Sequence, residues 1–291
     1  MKHAMLMTIH SNVNILKMFV NLFDDERYDF YILVDKKSPL TDEDLSKIQA
    51  KKSKIVFLPR MNLFWAGYSL IDAFLKLLEA SHKEHYDYYH LSHGSDFPLK
   101  TKDEVDAFFE KNSGKEFVNI YKDDFSFFKC GYRHWFVEYA SYRTNKFLKL
   151  LNHSCVKLQK IFRITRNKDI ELFHGSALSS LSQECVGYLL SKKSEIEKRF
   201  RYALAADEVF IQSMVAASPF RDNLYRFENS YYANCRFIDW TRREGSSPHT
   251  FLLDDYDQLI NADEGLLFCR KVSEDRSMEL VEKMYEYLKN R

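Results

Sequence analysis

Glycine and proline are scarce in this chain, with eight and five among 291 residues. The glycines are Gly67, Gly94, Gly114, Gly131, Gly175, Gly187, Gly245 and Gly265. No two of them stand as G-x-G, and none is followed by Lys-Ser or Lys-Thr. Both the dinucleotide fingerprint and the Walker loop need glycine where backbone approaches phosphate oxygens, so both are excluded. Any phosphate must be held here without a glycine cradle. Cysteine is equally thin: Cys130, Cys155, Cys185, Cys235 and Cys269 are odd in number and never paired as C-x-x-C. They read as reduced thiols of a cytosolic protein, not as a disulfide framework or zinc knuckle. An excess of one charge is missing too. The 43 Lys+Arg against 42 Asp+Glu leave +1, without the cationic surplus on which general nucleic-acid binding runs. Long hydrophobic runs are absent. The first apolar run is broken by His10, Ser11 and Asn12, too polar for a signal peptide and too short to span a bilayer. The sequence thus reads as a soluble protein whose only membrane contact would be peripheral.

What is present is a globular composition, 45% apolar and 29% charged, too apolar for disorder. Ala4–Ile9, Asp29–Val34, Lys54–Leu58, Tyr86–Ser92 and Glu116–Ile120 are apolar or alternating runs of strand length. Helical patterns lie between them, with an apolar stripe at Leu70, Phe74, Leu75, Leu77 and Leu78, and a helix start at Thr41–Asp44. Strand–helix alternation predicts an α/β fold with a mostly parallel sheet. Helical stretches at Gln183–Ser191, Asp207–Ala217 and Ser277–Lys289 and a strand-like Asn234–Trp240 follow without a compositional break. One continuous unit is expected.

The neutral total hides a basic middle. Residues 129–169 carry ten Lys/Arg against Glu138 and Asp169, a local +8. Much of it rides on KFLKLLNHSCVKLQKIF, where Phe147, Leu150, Leu151, Leu158 and Ile161 share a helix face. One reading is a core-facing helix with a solvated basic side. The other is a surface that attracts anionic lipid or a phosphate-bearing acceptor.

Several clusters could carry chemistry. His82 and His85 can share a helix face, but His90 and His93 fall on a strand, where that spacing puts side chains on opposite faces. The group reads as scattered polar residues, not a metal site. Asp42-Glu43-Asp44 opens a helix, where acids answer the macrodipole. Asp255-Tyr256-Asp257 fits either a helix first turn or a metal-binding pair of a sugar-nucleotide enzyme. Ser176 in F-H-G-S-A lacks the second glycine of a nucleophile elbow. Asp207-Glu208, at the head of an apolar helix, reads as a cap or as a carboxylate placed as general base.

Beyond these local readings, HLSHGSDFPLKT (His90–Thr101) resembles the core-2/I-branching β-1,6-N-acetylglucosaminyltransferase family, which includes the peptide O-xylosyltransferases. Further segments resemble it in the family's order. They are ILVDKKS (Ile32–Ser38), FWAGYSLIDAFLKLLEA (Phe64–Ala80), HGSALSSLSQECVGYLL (His174–Leu190), AADEVFIQSMV, and FIDW followed by LLFCRKV (Leu266–Val272). The resemblance implies a GT-A type glycosyltransferase fold, a Rossmann-like, mostly parallel sheet flanked by helices, in one catalytic domain over 1–291. Residues 1–125 would form the nucleotide-binding half, and 126–291 the acceptor-binding and catalytic half. It implies inverting transfer of a GlcNAc-like sugar from a UDP-sugar to a glycan hydroxyl, without a metal cofactor. Glu208 falls on the family's general base. Lys271, with Arg270 beside it, falls on the lysine that neutralises the departing diphosphate, a task suited to a compact charge. Asp35 falls on the nucleotide-binding strand end, and Trp65, Ser69, Ser95, Asp96 and Trp240 on the donor and acceptor pocket.

The chain departs from the pattern in two places. Pro248 stands where the animal enzymes carry a second diphosphate-binding arginine, and Arg242 or Arg243 is the expected substitute. Ala205-Ala206 replaces the Ser-Pro that precedes the acidic pair. The expected setting is bacterial surface polysaccharide assembly, on a lipid-linked glycan at the cytoplasmic membrane face. Two alternatives remain: a metal-dependent transferase using Asp255 and Asp257, and a non-catalytic glycan- or nucleotide-binding relic.

Overall fold

Among the described residues, eight strands form two sheets. The computed structural model describes residues 1–139, 142–226 and 232–291. Its strands are β1 (His3–Ile9), β2 (Tyr28–Asp35), β3 (Ile55–Met61), β4 (Tyr88–His93), β5 (Asp96–Pro98), β6 (Ser180–Ser182), β7 (Arg236–Ile238) and β8 (Phe268–Arg270). The larger sheet runs β3-β2-β1-β4-β6, parallel except for the antiparallel edge strand β6. The smaller runs β5-β8-β7, with β5 antiparallel and β7 parallel to β8. This is the α/β, Rossmann-like layout that the strand–helix alternation predicts.

The near-continuous apolar runs of β1 and β2 arise because helices cover both sheet faces. Ala4, Leu6, Tyr31 and Leu33 pack on one side with Ile71, Phe74 and Leu78 of the helix Tyr68–Ser81. Met5, Met7, Phe30 and Ile32 pack on the other with Leu16 and Phe19 of the helix Val13–Leu22. Leu280, Val281 and Met284 of the helix Glu274–Lys289 complete that second layer. Two histidines of the crowded region turn out differently. His90 is fully buried and bonds His3 and the Ser180 hydroxyl at 3.0 and 2.8 Å, whereas His93 reaches the end of β1 at Thr8.

Three expectations need revision. Glu116–Ile120 forms isolated bridges, Phe117 to Ser180 and Glu116 to Leu224, and not a strand. Glu116 turns inward to accept hydrogen bonds from the amide and hydroxyl of Ser182, at 2.9 and 2.5 Å. The segment expected as one helix over Asp207–Ala217 splits into a single 3-10 turn, Ala206–Glu208, and a helix, Phe210–Ala216. The basic segment does form a helix, Lys146–Ile161, but its apolar stripe does not face the core: Phe147, Leu150, Leu158 and Ile161 are each more than half exposed. The core-facing reading is overturned, because polar Asn152 and Gln159 occupy the buried side instead. Among the described residues no helix is long and apolar enough to cross a membrane.

Candidate functional site

The C-terminal ends of β1, β2 and β4 open onto a cleft lined by Thr8, His10, Ser11, Asn12, Asp35, Trp65, His93, Ser95 and Arg270. β2 lies on one side of β1 and β4 on the other, and such a divergence leaves a crevice at the carboxyl ends of the strands. The near-continuous apolar run YDFYILVD delivers Asp35 to that end of β2. One carboxylate oxygen of Asp35 accepts from the backbone amide and the ammonium of Lys37, both at 3.0 Å. The other lies 3.8 Å from His10 Nδ1. Asn12, in a left-handed conformation at the head of its helix, donates to Gly94 O at 3.0 Å and ties the β1 and β4 ends together.

The far wall comes from the small sheet. Arg270 on β8 donates to Asp96 on β5 at 2.7 Å. Asp96 also accepts from the Ser92 hydroxyl and the His93 amide, at 2.6 and 2.9 Å. Burial raises the Asp96 carboxyl, but Arg270 and these donors outweigh it and hold the group below its usual value. The buried carboxylate thereby fixes the guanidinium at the cleft edge. Val272 N donates to Ser95 O at 2.9 Å, which draws the Arg270-Lys271 segment along the same wall. Lys271 is partly exposed and has no carboxylate within ion-pair distance among the described residues.

Glu208 ends the 3-10 turn Ala206–Glu208. That turn is tied to the cleft loop, since Ala205 N donates to Ala66 O at 2.8 Å, beside Trp65. The Glu208 carboxylate pairs with the Lys129 ammonium and lies 3.7 Å from His174 Nε2, whose Nδ1 is 3.5 Å from Asp123. Burial alone would raise the Glu208 carboxyl, but His174 and Lys129 hold it below its usual range. Its neighbour Asp207 has a buried oxygen without a hydrogen-bond partner and is pushed up to about 7, by burial first and by the Glu208 charge second.

The remaining expected residues are placed as follows. Trp65 is half exposed at the cleft, with the Arg143 guanidinium 5.6 Å from its ring. Ser69 is buried beneath it; its hydroxyl accepts from Phe64 N at 2.8 Å and its amide donates to Glu138, so it braces the loop that carries Trp65. Trp240 and Arg243 are exposed. Arg242 clamps Asp239 and Asp255, each at 2.6 Å, so its charge is already answered within that cluster. Asp255 is further occupied by His249 Nε2 at 3.0 Å and Leu252 N at 2.8 Å. Asp257 sits on the short helix Tyr256–Ile260, and the described residues contain no converging group of three metal-ligating side chains.

Sequence reasoning missed Lys129, His174 and Asp123 around Glu208, and His10 and Asn12 in the cleft. Lys129 was visible only as one of ten basic residues, and His174 only as a letter of H-G-S. Nothing local marks either as a partner of a residue far along the chain.

The family model of the Core-2/I-branching enzyme matches residues 4–259. The chain is similar to Xylosyltransferase oxt of Drosophila pseudoobscura pseudoobscura, 25% identical, covering 98% of this chain and 33% of that protein. It is also similar to Xylosyltransferase 2 of Canis lupus familiaris, 24% identical, with 96% and 33% covered. It thus spans about a third of the length of these curated relatives. Among solved structures it is similar to mouse xyloside xylosyltransferase 1 in the apo form, with a TM-score of 0.41 and 11% identity, covering 92% of this chain and 96% of that one. With the model matched over most of its length, the chain belongs to the Core-2/I-branching enzyme family.

Proposed function

We propose that this chain is an inverting glycosyltransferase that moves a sugar from a UDP-sugar to a glycan hydroxyl. The observation that carries the reading is Glu208: a carboxylate kept ionised by Lys129 and His174, on a turn bonded to the loop that lines the cleft. In the reaction the acceptor oxygen attacks the anomeric carbon and its proton passes to Glu208. The bond from that carbon to the diphosphate breaks on the opposite face, and UDP leaves. Asp35 holds the nucleotide at the β2 end. Arg270, oriented by Asp96, and Lys271 meet the developing diphosphate charge, with Arg243 a further exposed cation. Trp65, Ser95 and Trp240 serve the sugar sites, and Ser69 supports Trp65.

This reading needs no divalent cation at the diphosphate. The alternative pair Asp255/Asp257 fits a metal poorly, because Asp255 is already saturated by Arg242, His249 and a backbone amide. The acceptor class is a lipid-linked glycan at the cytoplasmic face of a membrane, within surface polysaccharide synthesis. Purified protein tested with UDP-GlcNAc, UDP-Gal, UDP-Glc and UDP-Xyl should release UDP from one of them, and keep doing so in EDTA. Glu208→Gln should lower that turnover by at least about 10²-fold, the low end for a general base. Turnover abolished by EDTA would overturn the metal-free mechanism, turnover that Glu208→Gln leaves unchanged would remove Glu208 as the base, and donor binding without turnover would favour the binding relic.

A further inference from the structure

The helix Lys146–Ile161 is amphipathic in the reverse of the usual sense. Its buried side holds Asn152, Val156 and Gln159. Asn152 Nδ2 donates to His134 Nδ1 at 2.9 Å and to the Tyr142 hydroxyl at 3.3 Å. The Gln159 amide is bonded both ways to the backbone of Arg133, each at 2.9 Å. These bonds pin the polar side inward, so the outward side is specified and not an accident of packing.

That outward side is apolar. Phe147, Leu150, Leu158 and Ile161 are 64%, 62%, 54% and 63% exposed. At 3.6 residues per turn they fall, with Leu151, within an arc of roughly 100°, on the side away from Asn152 and Gln159. Phe162 and Ile164 extend the exposed apolar surface past the helix end, at 69% and 57%. A contiguous patch of this kind on a water-facing surface marks an interaction site.

Charge identifies the partner. Lys146, Lys149, Lys157 and Lys160 are all exposed and fill one flank between the apolar arc and the buried side. No acidic residue occurs between Glu138 and Asp169. An antiparallel two-fold contact with a second copy would set these lysine rows against each other, like charge to like, and a parallel one would give them no acidic partner on the facing helix. An anionic bilayer offers both complements at once, acyl chains for the apolar arc and headgroups for the lysines. The helix is also about 24 Å long, so it suits lying in the interface and not crossing it.

We propose that the helix Lys146–Ile161 lies in the headgroup region of an anionic lipid bilayer, its Phe147–Leu150–Leu158–Ile161 face inserted and its lysines on the headgroups. The segment bonded beneath it, around Arg133 and His134, directly follows the helix Asp124–Cys130 whose Lys129 pairs with Glu208. Docking therefore holds the membrane close in the chain to Lys129, the partner of the candidate base. In that respect the inference rests on the proposed glycosyl transfer, and it narrows the acceptor to one borne by the membrane.

Flotation of the full chain with phosphatidylglycerol–phosphatidylcholine vesicles, against vesicles of phosphatidylcholine alone, tests it. The protein should float with the anionic vesicles only, and high salt should weaken the association. Leu150→Asp/Leu158→Asp and Lys149→Gln/Lys157→Gln should each reduce binding at least about tenfold. All four positions are exposed, so thermal midpoints should hold within a few degrees. Wild type left unbound by anionic vesicles overturns the inference. So does binding that the Leu variant leaves intact, or a dimer that the Leu variant dissociates in a protein that ignores vesicles. UDP release from the four UDP-sugars, measured in parallel without vesicles and with water as the acceptor, separates the two readings. An active enzyme that ignores vesicles overturns only the docking, and a vesicle-binding protein without turnover overturns only the glycosyl transfer.

Discussion

Two adjacent carboxylates, Asp207 and Glu208, are driven apart by their surroundings. Asp207 points into the protein with an unsatisfied oxygen and is pushed up to about 7. Glu208 meets Lys129 and His174 and is held low. A base must be ionised to accept a proton, so activity should fall only when pH drops through the lowered Glu208 value. Lys129→Met removes the lysine counter-charge and leaves burial opposed by His174 alone. The acidic limb of kcat/KM should then move up by at least about one pH unit, the lower range for loss of an opposite charge at this distance. A pH–rate profile of the variant checks this, and an unmoved limb would mean that Glu208 is not the group being titrated. Environment, more than residue type, separates the two carboxyls.

At the scale of elements, the candidate base is held by a close approach of two loops. Gly175 N donates to Glu208 O at 2.9 Å, and a Cβ on Gly175 would sit 2.0 Å from Asn119 O. Backbone cannot yield as a side-chain tip can. Gly175→Ala should destabilise the protein by about 1–3 kcal/mol, in the range of overpacked sites, and should lower turnover by displacing the Glu208 turn. Gly187 makes the control. It lies inside the helix Gln183–Ser191, and its added Cβ would meet only the His82 ring at 3.4 Å. Gly187→Ala should be neutral or stabilising by up to about 1 kcal/mol through helix propensity. Paired thermal melts decide between these outcomes.

For the whole molecule, the smaller strands are knitted to the main sheet through buried polar groups, and these set how stability follows pH. Glu116 is buried, bridges to Leu224 and accepts two bonds from Ser182 on β6. Burial pushes its carboxyl up to about 7 from 4.5. A raised carboxyl favours the fold below the unfolded value and loses that contribution as pH rises through the folded value. Stability should therefore decline between about 4.5 and 7 by roughly 3 kcal/mol from this group, and level off above. Glu116→Gln should flatten that decline, as urea unfolding at pH 5 and pH 8 would show. Equal slopes in the two proteins would place the titrating group elsewhere.

The near-continuous apolar runs at 4–9 and 29–34 were enough to place β1 and β2, because a strand covered on both faces must be apolar throughout. The family motifs pointed to Asp35, Glu208, Arg270 and Lys271 as candidates, because each lies in a short contiguous word, and the structure puts Asp35 and Arg270 on the cleft. Absence of glycine loops, likewise a property of the letters alone, already required that any phosphate be met without a glycine cradle. Other features had no local signature. Lys129 meets Glu208 across 79 positions, Arg242 is committed to Asp239 and Asp255, and the same periodicity that marks Lys146–Ile161 as amphipathic does not say which side faces in. Periodicity records that a helix has two unlike faces, but only the groups packed beneath it decide the orientation. Here Arg133, His134 and Tyr142 offer hydrogen bonds to Asn152 and Gln159, and the leucines are left outside.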